Sequence, residues 1–298
     1  MKPLIIKTIS EAHLFLGLRP PEHPMISVID LSTAKLPGPQ PVLFDFYNIL
    51  LKKGCQNKLY YGQQTFDFNE GLMMFVAPNQ ILRGQPNPED QVAGWSLLIH
   101  ADLIWGSSLA STIGKYEFFD YSVNEALFLS EKEENIIERI IDNIKTEYQF
   151  NIDKFSKQII ITQIESLLSY SERFYNRQFL TRDKSNHLVL EKLEFLLNDY
   201  FKQDDLVSRG LPSVQFIAEN LNISPSYLRS LIKNLTGQST QQMIHGKLIE
   251  KAKAKLSTTE LSVGEIAYEL GFEHLQSFSK LFKAKTKLSP MEFRQSFN

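Results

Sequence analysis

Arg229 and Gln276 carry side chains whose hydrogen-bonding groups match the edges of nucleic-acid bases. The guanidinium fork of Arg229 fits guanine O6 and N7 together, a contact worth ~1–3 kcal/mol of discrimination, and the amide of Gln276 suits adenine. Leu275, one residue earlier, offers only carbon, which suits a thymine methyl. Lys233 and Lys283 are point charges of the kind that grip phosphate. Chemistry of other kinds finds less support. His100 and Asp102 stand two apart, but there is no His-x-His pair or nearby glutamate, and they fit surface or capping residues. Metal catalysis needs about three or four ligands converging on one ion. The single cysteine, Cys55, has no partner for an intrachain disulfide and fits a small strand residue. No metal or cofactor is expected, and the chain does not read as an enzyme.

Base-reading side chains need rigid rods to hold them, and the last third of the sequence supplies two. Ile217-Ala218 and Leu221 recur as Ile266-Ala267 and Leu270, an offset of 49. Leu228, Leu231, Ile232 and Lys233 recur as Phe278, Leu281, Phe282 and Lys283, an offset of 50, as does Ser239 with Ser289. One extra residue in the second turn accounts for the change. Each copy predicts a helix-turn-helix, over 213–233 and 262–283. In the first, Ser213 caps a helix burying Phe216, Ile217 and Leu221; after the turn Asn222-Ile223, Ser224 caps the next, with Pro225 at its first position, where a missing N–H costs nothing. That helix buries Leu228, Leu231 and Ile232 and leaves Ser226, Tyr227, Arg229, Ser230 and Lys233 on other faces. In the second, Ser262 and Glu265 form a capping box, Gly271 permits the turn and Phe272 fills the gap between helices. The helix beyond it buries Phe278, Leu281 and Phe282, with His274, Leu275, Gln276, Ser277, Lys280 and Lys283 outward. A long helix with Met243, Ile244, Ile249, Ala252 and Leu256 as its apolar stripe joins the two.

Charge divides the same way. From Leu206 onward twelve Lys and Arg face seven Asp and Glu, a net of +5, and the preceding residues carry −7. A basic segment behind an acidic one points to a polyanion partner. The first half has different punctuation. Met25–Leu31, Val42–Leu51, Lys58–Phe68, Leu72–Ala77 and Trp95–His100 read as short strands separated by proline, glycine and asparagine clusters, the pattern of an antiparallel sandwich or barrel. Two amphipathic helices follow. One is capped by Ser130 and Glu133 and carries Ile136, Ile137, Ile140, Ile141 and Ile144; the other carries Phe155, Ile159, Ile160, Ile164, Leu167 and Leu168. They can pack on the barrel, on each other or on a second subunit. The polar stretch Asn176–Asn186 has the composition of a linker.

Over roughly its last 110 residues the chain resembles the AraC family, most specifically in Gly271-Phe272, Ser279, Phe282-Lys283, Ser289-Pro290 and Phe293-Arg294. The resemblance implies a two-domain α+β chain. Residues 1–178 would be a cupin-like antiparallel β-barrel with helices for regulation and dimerisation, 179–190 a linker, and 191–298 an all-α tandem helix-turn-helix domain. It implies that both recognition helices enter the major groove on one face of double-stranded DNA, about 34 Å apart. Carried over position by position, the base readers are Ser226, Arg229 and Ser230 in the first helix and Leu275, Gln276, Ser277 and Lys280 in the second. Lys233 and Lys283 are assigned to phosphate. RNA polymerase is implied as a partner, with a homodimer and a small-molecule effector. Three positions depart from the family pattern: Lys287 where glycine is usual, Thr240 where proline is usual, and Leu248 where arginine is usual.

The sequence supports an effector-responsive transcription regulator before two alternatives: a DNA-binding regulator without a small-molecule effector, and a cupin enzyme with an accessory DNA-binding module. Phe44, Phe46, Tyr60, Tyr61, Phe68 and Trp95 fit an apolar core before an effector pocket, so no effector residue is named. The N-terminal run before Lys7 is too short for a secretory signal and no stretch approaches the roughly 20 apolar residues of a membrane span, so a cytoplasmic location is expected.

Overall fold

The computed structural model describes residues 3–35, 41–53, 60–61, 64–65, 71–82, 93–121, 125–150, 153–181, 183–202 and 206–296. The chain divides into two compact units, Met1–Thr181 and Arg182–Asn298.

In the first unit the described strands are β1 (Leu4–Ile6), β2 (Ile26–Asp30), β3 (Val42–Phe44), β4 (Tyr47–Lys53), β5 (Tyr60–Tyr61), β6 (Gln64–Thr65), β7 (Gly71–Val76), β8 (Ile81–Leu82), β9 (Ala93–Ile99) and β10 (Leu127–Leu129). The helices are α1 (Ile9–Phe15), α2 (Ala101–Ile104), α3 (Ser108–Thr112), α4 (Glu131–Gln149) and α5 (Ser156–Thr181). Five strands form an antiparallel sheet in the order β10-β7-β4-β9-β2, with Ile49 of β4 facing Phe75 on one side and Leu97 on the other. Trp95 to Ile99 is buried at every residue because both faces of the sheet are covered, so the strand reads as an apolar run without alternation. Its one interruption is satisfied in place: the Ser96 hydroxyl donates to Asn48 Oδ1 at 2.8 Å. One covering layer contains Ile6, Ile9, Ala12, Val42, Phe44 and Phe46, which pack with Ile29 and Leu98 of the sheet. Helices α4 and α5 pack on each other and against β10, with α4 also touching β2.

The expected barrel does not close among the described residues. The strands fall into three separate sheets, and β1 pairs with β3 in parallel, against the antiparallel expectation. The apolar run Val42–Leu51, taken as one strand, breaks at Asp45-Phe46 and feeds two different sheets. There the Asp45 N–H donates to the Ile6 carbonyl at 3.0 Å. His100 does not end the last strand; it caps α2, accepting from the Asp102 N–H, and β10 follows later. Phe44, Phe46 and Trp95 are buried core residues. Tyr60 and Tyr61 belong to β5, while Cys55 and Phe68 lie outside the described residues.

The polar stretch expected as a linker is helical to the end of α5 at Thr181 and again from α6 (Asp183–Lys202). Its Arg177 is tied down: Nε and Nη2 donate to the two carboxylate oxygens of Glu133 at 3.0 and 2.7 Å, and Nη2 also reaches the Phe128 carbonyl at 2.7 Å. Composition resembles a linker here although Arg177 lies on a helix and answers the half-buried carboxylate of Glu133.

The second unit contains α6, α7 (Leu206–Arg209), α8 (Val214–Leu221), α9 (Pro225–Thr236), α10 (Thr240–Thr258), α11 (Val263–Glu269), α12 (Leu275–Thr286) and α13 (Pro290–Gln295). Its core joins Leu193 and Leu197 of α6 to Ile217, Leu228 and Ile232 of the first repeat and to Ile266, Phe278 and Phe282 of the second. Leu248, on the central α10, is fully buried in that core.

Candidate nucleic-acid interface

Both repeats fold as helix-turn-helix units, α8–α9 and α11–α12, because capping groups occur where backbone donors need them. In the first, the Ser213 hydroxyl accepts from the Phe216 N–H at 3.0 Å. Asn222 then takes the left-handed conformation at φ 55°, and the Ile223 N–H returns to the Ala218 carbonyl at 3.1 Å. Ser224 accepts from the Tyr227 N–H at 3.1 Å with Pro225 at the first helical position. Leu228, Leu231 and Ile232 are fully buried, while Arg229 and Lys233 are exposed and Ser230 is half-buried.

In the second unit, Glu265 Oε2 accepts from the Ser262 N–H at 2.7 Å and the Glu265 N–H donates to the Ser262 hydroxyl at 3.2 Å. Donation to its carboxylate from the Ser262 backbone N–H first, and from the Ser262 hydroxyl second, holds the Glu265 carboxyl below its ordinary value. Gly271 turns the chain at φ 81°, and a Cβ there would stand 2.9 Å from the Leu206 carbonyl oxygen. Phe272 packs edge-on to Phe278 at 5.4 Å, and the chain of rings continues through Phe282 to Phe293. The ring chain sets α12 with Leu275, Gln276, Ser277, Lys280 and Lys283 all exposed. His274 is the N-cap residue of α12 and makes no side-chain capping bond.

Ser226 and Tyr227 differ from their expected placement: they are 5% and 1% exposed. The Ser226 hydroxyl accepts from Arg229 Nη2 at 2.8 Å, three residues along the same helix. It holds the guanidinium toward the N-terminal end of α9, the end that reaches base edges in helix-turn-helix complexes. The i, i+3 spacing of a short hydroxyl and an arginine was the available sequence signal for this pairing.

The basic residues divide by what they touch. On α10, Lys247 pairs with Glu250 at 3.2 Å, Lys255 with Glu269 at 2.6 Å, Lys251 donates to the Phe201 carbonyl, and Lys253 lies 5.7 Å from the centre of the Phe293 ring. Arg294 donates to the Leu256 and Leu261 carbonyls at 3.3 and 2.6 Å. Lys251, Lys255 and Arg294 thus tie α10 to neighbouring segments, whereas the Lys247–Glu250 pair lies within α10 and Lys253 is exposed. Lys233 reaches the Gly237 carbonyl at the end of its own helix, at 3.0 Å, and remains exposed, as do Arg229, Lys280 and Lys283. Every cation of α9 and α12, the second helix of each unit, is exposed, as are Lys253 of α10 and Arg209 of α7.

The departures from the family pattern also acquire geometry. Lys287 ends α12 in the left-handed region at φ 69°. Thr240 is 1% exposed, and its Oγ1 has no hydrogen-bond partner among the described residues. His245, half-buried on α10, has its pKa lowered by burial and then by the charge of Lys285.

Residues 217–296 match the family model described as a helix-turn-helix domain. The raffinose operon transcriptional regulatory protein RafR of Pediococcus pentosaceus is 36% identical over 114 residues, 38% of this chain and 40% of that protein. The xylose operon regulatory protein of Escherichia coli K12 is 35% identical over 81 residues, 27% of this chain and 21% of that protein. Less than half the length of each relative is thus spanned. Among solved structures, the C-terminal domain of AraT, a response regulator from Geobacillus stearothermophilus, is 30% identical, covering 36% of this chain and 84% of that one, with a TM-score of 0.32.

Proposed function

We infer, from a C-terminal unit that is an AraC-type helix-turn-helix domain, that the chain regulates transcription by binding specific double-stranded DNA. The observation that carries this reading is the sorting of the cations. The cations of α10 and α13 other than the exposed Lys253 bond within the domain, and those of α9 and α12 are exposed on the second helix of each repeat. Arg229, Ser230, Leu275, Gln276, Ser277 and Lys280 read base edges, and Lys233 and Lys283 hold phosphate. Ser226 acts through Arg229 as a positioning residue.

The first unit supplies regulation. Its cavity between sheet and helix supports an effector, and the exposed Phe155 and Ile159 beside α4 and on α5 support joining of two copies through these helices. RNA polymerase is the partner that a regulator bound upstream of a gene would address, and the location is the cytoplasm, where the DNA is. No helix among the described residues is long and apolar enough to cross a membrane. The raffinose and xylose operons of the two relatives illustrate the class of genes such regulators serve; the short overlap leaves the effector of this chain open.

Fluorescence anisotropy with a duplex from the gene's own upstream region tests the reading. Specific binding should exceed that to a scrambled duplex by at least about a thousandfold, and log affinity should fall linearly with log salt. Lys283→Ala should weaken both duplexes alike and reduce the salt slope by about one. Equal affinity for the two duplexes would sink it.

A further inference from the structure

We propose that the first unit binds a small, flat aromatic molecule in the cavity bounded by β7, β8 and α5. The cavity measures about 210 Å³. An apolar cavity of about 150 Å³ is enough to hold benzene, so this one accommodates one or two fused rings. Phe118 and Tyr175 stack at 5.6 Å with 14° between their planes. Phe75 lies 4.4 Å from Phe118, and Tyr121 meets Tyr175 edge-on at 5.2 Å. A ring entering here extends an array already arranged in stacked and edge-to-face geometry.

The polar groups of the wall narrow the ligand class. Gln80 accepts from the Ala77 N–H at 3.0 Å through Oε1 and donates to the Phe119 carbonyl at 2.5 Å through Nε2. The Tyr175 hydroxyl donates to the Glu125 carbonyl at 3.2 Å, and the Ala126 carbonyl accepts from Gln178 Nε2 at 3.2 Å. Each of these groups is hydrogen-bonded within the protein, and the surface left toward the space is mostly that of rings and alkyl groups. A sugar would give up water at most of its hydroxyls with few partners to gain, whereas an aromatic ring loses little. Ligand contact at Tyr175 bears directly on α5, so the proposal deepens the regulatory reading of this unit and rests on it for its biological consequence.

Indole is the probe, with xylose as control, in calorimetric melts of the full chain. Indole near 100 times its dissociation constant should raise the midpoint by about 5 °C, and xylose should leave it in place. Ala126→Met, which pushes a longer side chain into the cavity, should abolish the indole shift; if that variant fails to fold, Ala126→Val should weaken indole at least about tenfold, since even one or two added methylenes are felt in a packed interior. No indole shift up to its solubility limit, a xylose shift of equal size, or an undiminished response in the folded variant would overturn the site. Anisotropy on the same samples separates the two ideas: intact specific DNA binding without an indole response removes the pocket alone, and an indole response without specific DNA binding removes the regulatory reading alone.

Discussion

In the first helix-turn-helix unit the turn is made by Asn222 at φ 55° and the second helix ends on Gly237 at φ 70°; in the second unit the corresponding residues are Gly271 at φ 81° and Lys287 at φ 69°. The backbone solution is the same and the residues are exchanged. What differs is the surroundings. Asn222 is exposed, and asparagine tolerates the left-handed region. At Gly271 a side chain would also meet the Leu206 carbonyl, so only glycine fits. The helix ends are open in both units, so lysine is tolerated there at the cost of its backbone conformation. The second unit is thus strict at its turn and strained at its end, and the first is relaxed at both.

The largest effect should follow from breaking the strict position. Gly271→Ala is expected to destabilise the second unit by about 2–4 kcal/mol, through a positive φ and a backbone clash together. Asn222→Gly should change stability by well under about 1 kcal/mol. Denaturant melts of both variants check the asymmetry, and equal losses would refute it. Exchanging the helix ends should give smaller, opposite effects. Lys287→Gly relieves a left-handed lysine and should stabilise by about 1 kcal/mol, while Gly237→Lys should destabilise by about as much.

Thr240 sharpens the comparison at the next position along, where the second unit has Pro290. Its buried hydroxyl is unpartnered among the described residues, so Thr240→Val should stabilise by about 1 kcal/mol or more. A destabilised valine variant would mean that the hydroxyl has a partner after all. The smallest effect concerns pH. The second unit carries two capping boxes with glutamate, Ser262–Glu265 and Ser289–Glu292, and both carboxyls are held below their ordinary value by bonds from their capping serines. Because these pKa values are lowered in the folded state, their contribution is present above the ordinary value of 4.5 and is lost as pH falls through the lowered one. The box at the end of the first unit, Ser239–Gln242, uses an uncharged amide. Between pH 5 and 3, hydrogen exchange at the N-terminal turns of α11 and α13 should accelerate more than at α10 once the intrinsic pH dependence is removed.

These contrasts also mark how far the sequence could be followed. The tandem repeat, its caps and its core-facing residues were legible because helical period and capping are local and leave their signature within a few residues. Arg229, Lys233, Gln276, Lys280 and Lys283 emerged exposed as expected for the same reason. The burial of Ser226 and Tyr227 was not legible, since a helical wheel gives the face of a residue and not what covers it. In the first unit, the split of Val42–Leu51 between two sheets passed unseen because no glycine or proline marks the bend at Asp45. The polar stretch around Arg177 looked like a linker because a half-buried ion pair with Glu133, 44 residues away, is a long-range fact.

Selection of bound duplexes from a random pool by the full chain, by Arg229→Ala and by Gln276→Ala tests the central claim most directly. The parent profile should contain two half-sites about 10 base pairs apart, one turn of DNA. Arg229→Ala should flatten one G·C position in one half-site, and Gln276→Ala one A·T position in the other, each by ~1–3 kcal/mol of discrimination. Profiles of the two variants that superimpose on the parent would contradict base reading by these helices.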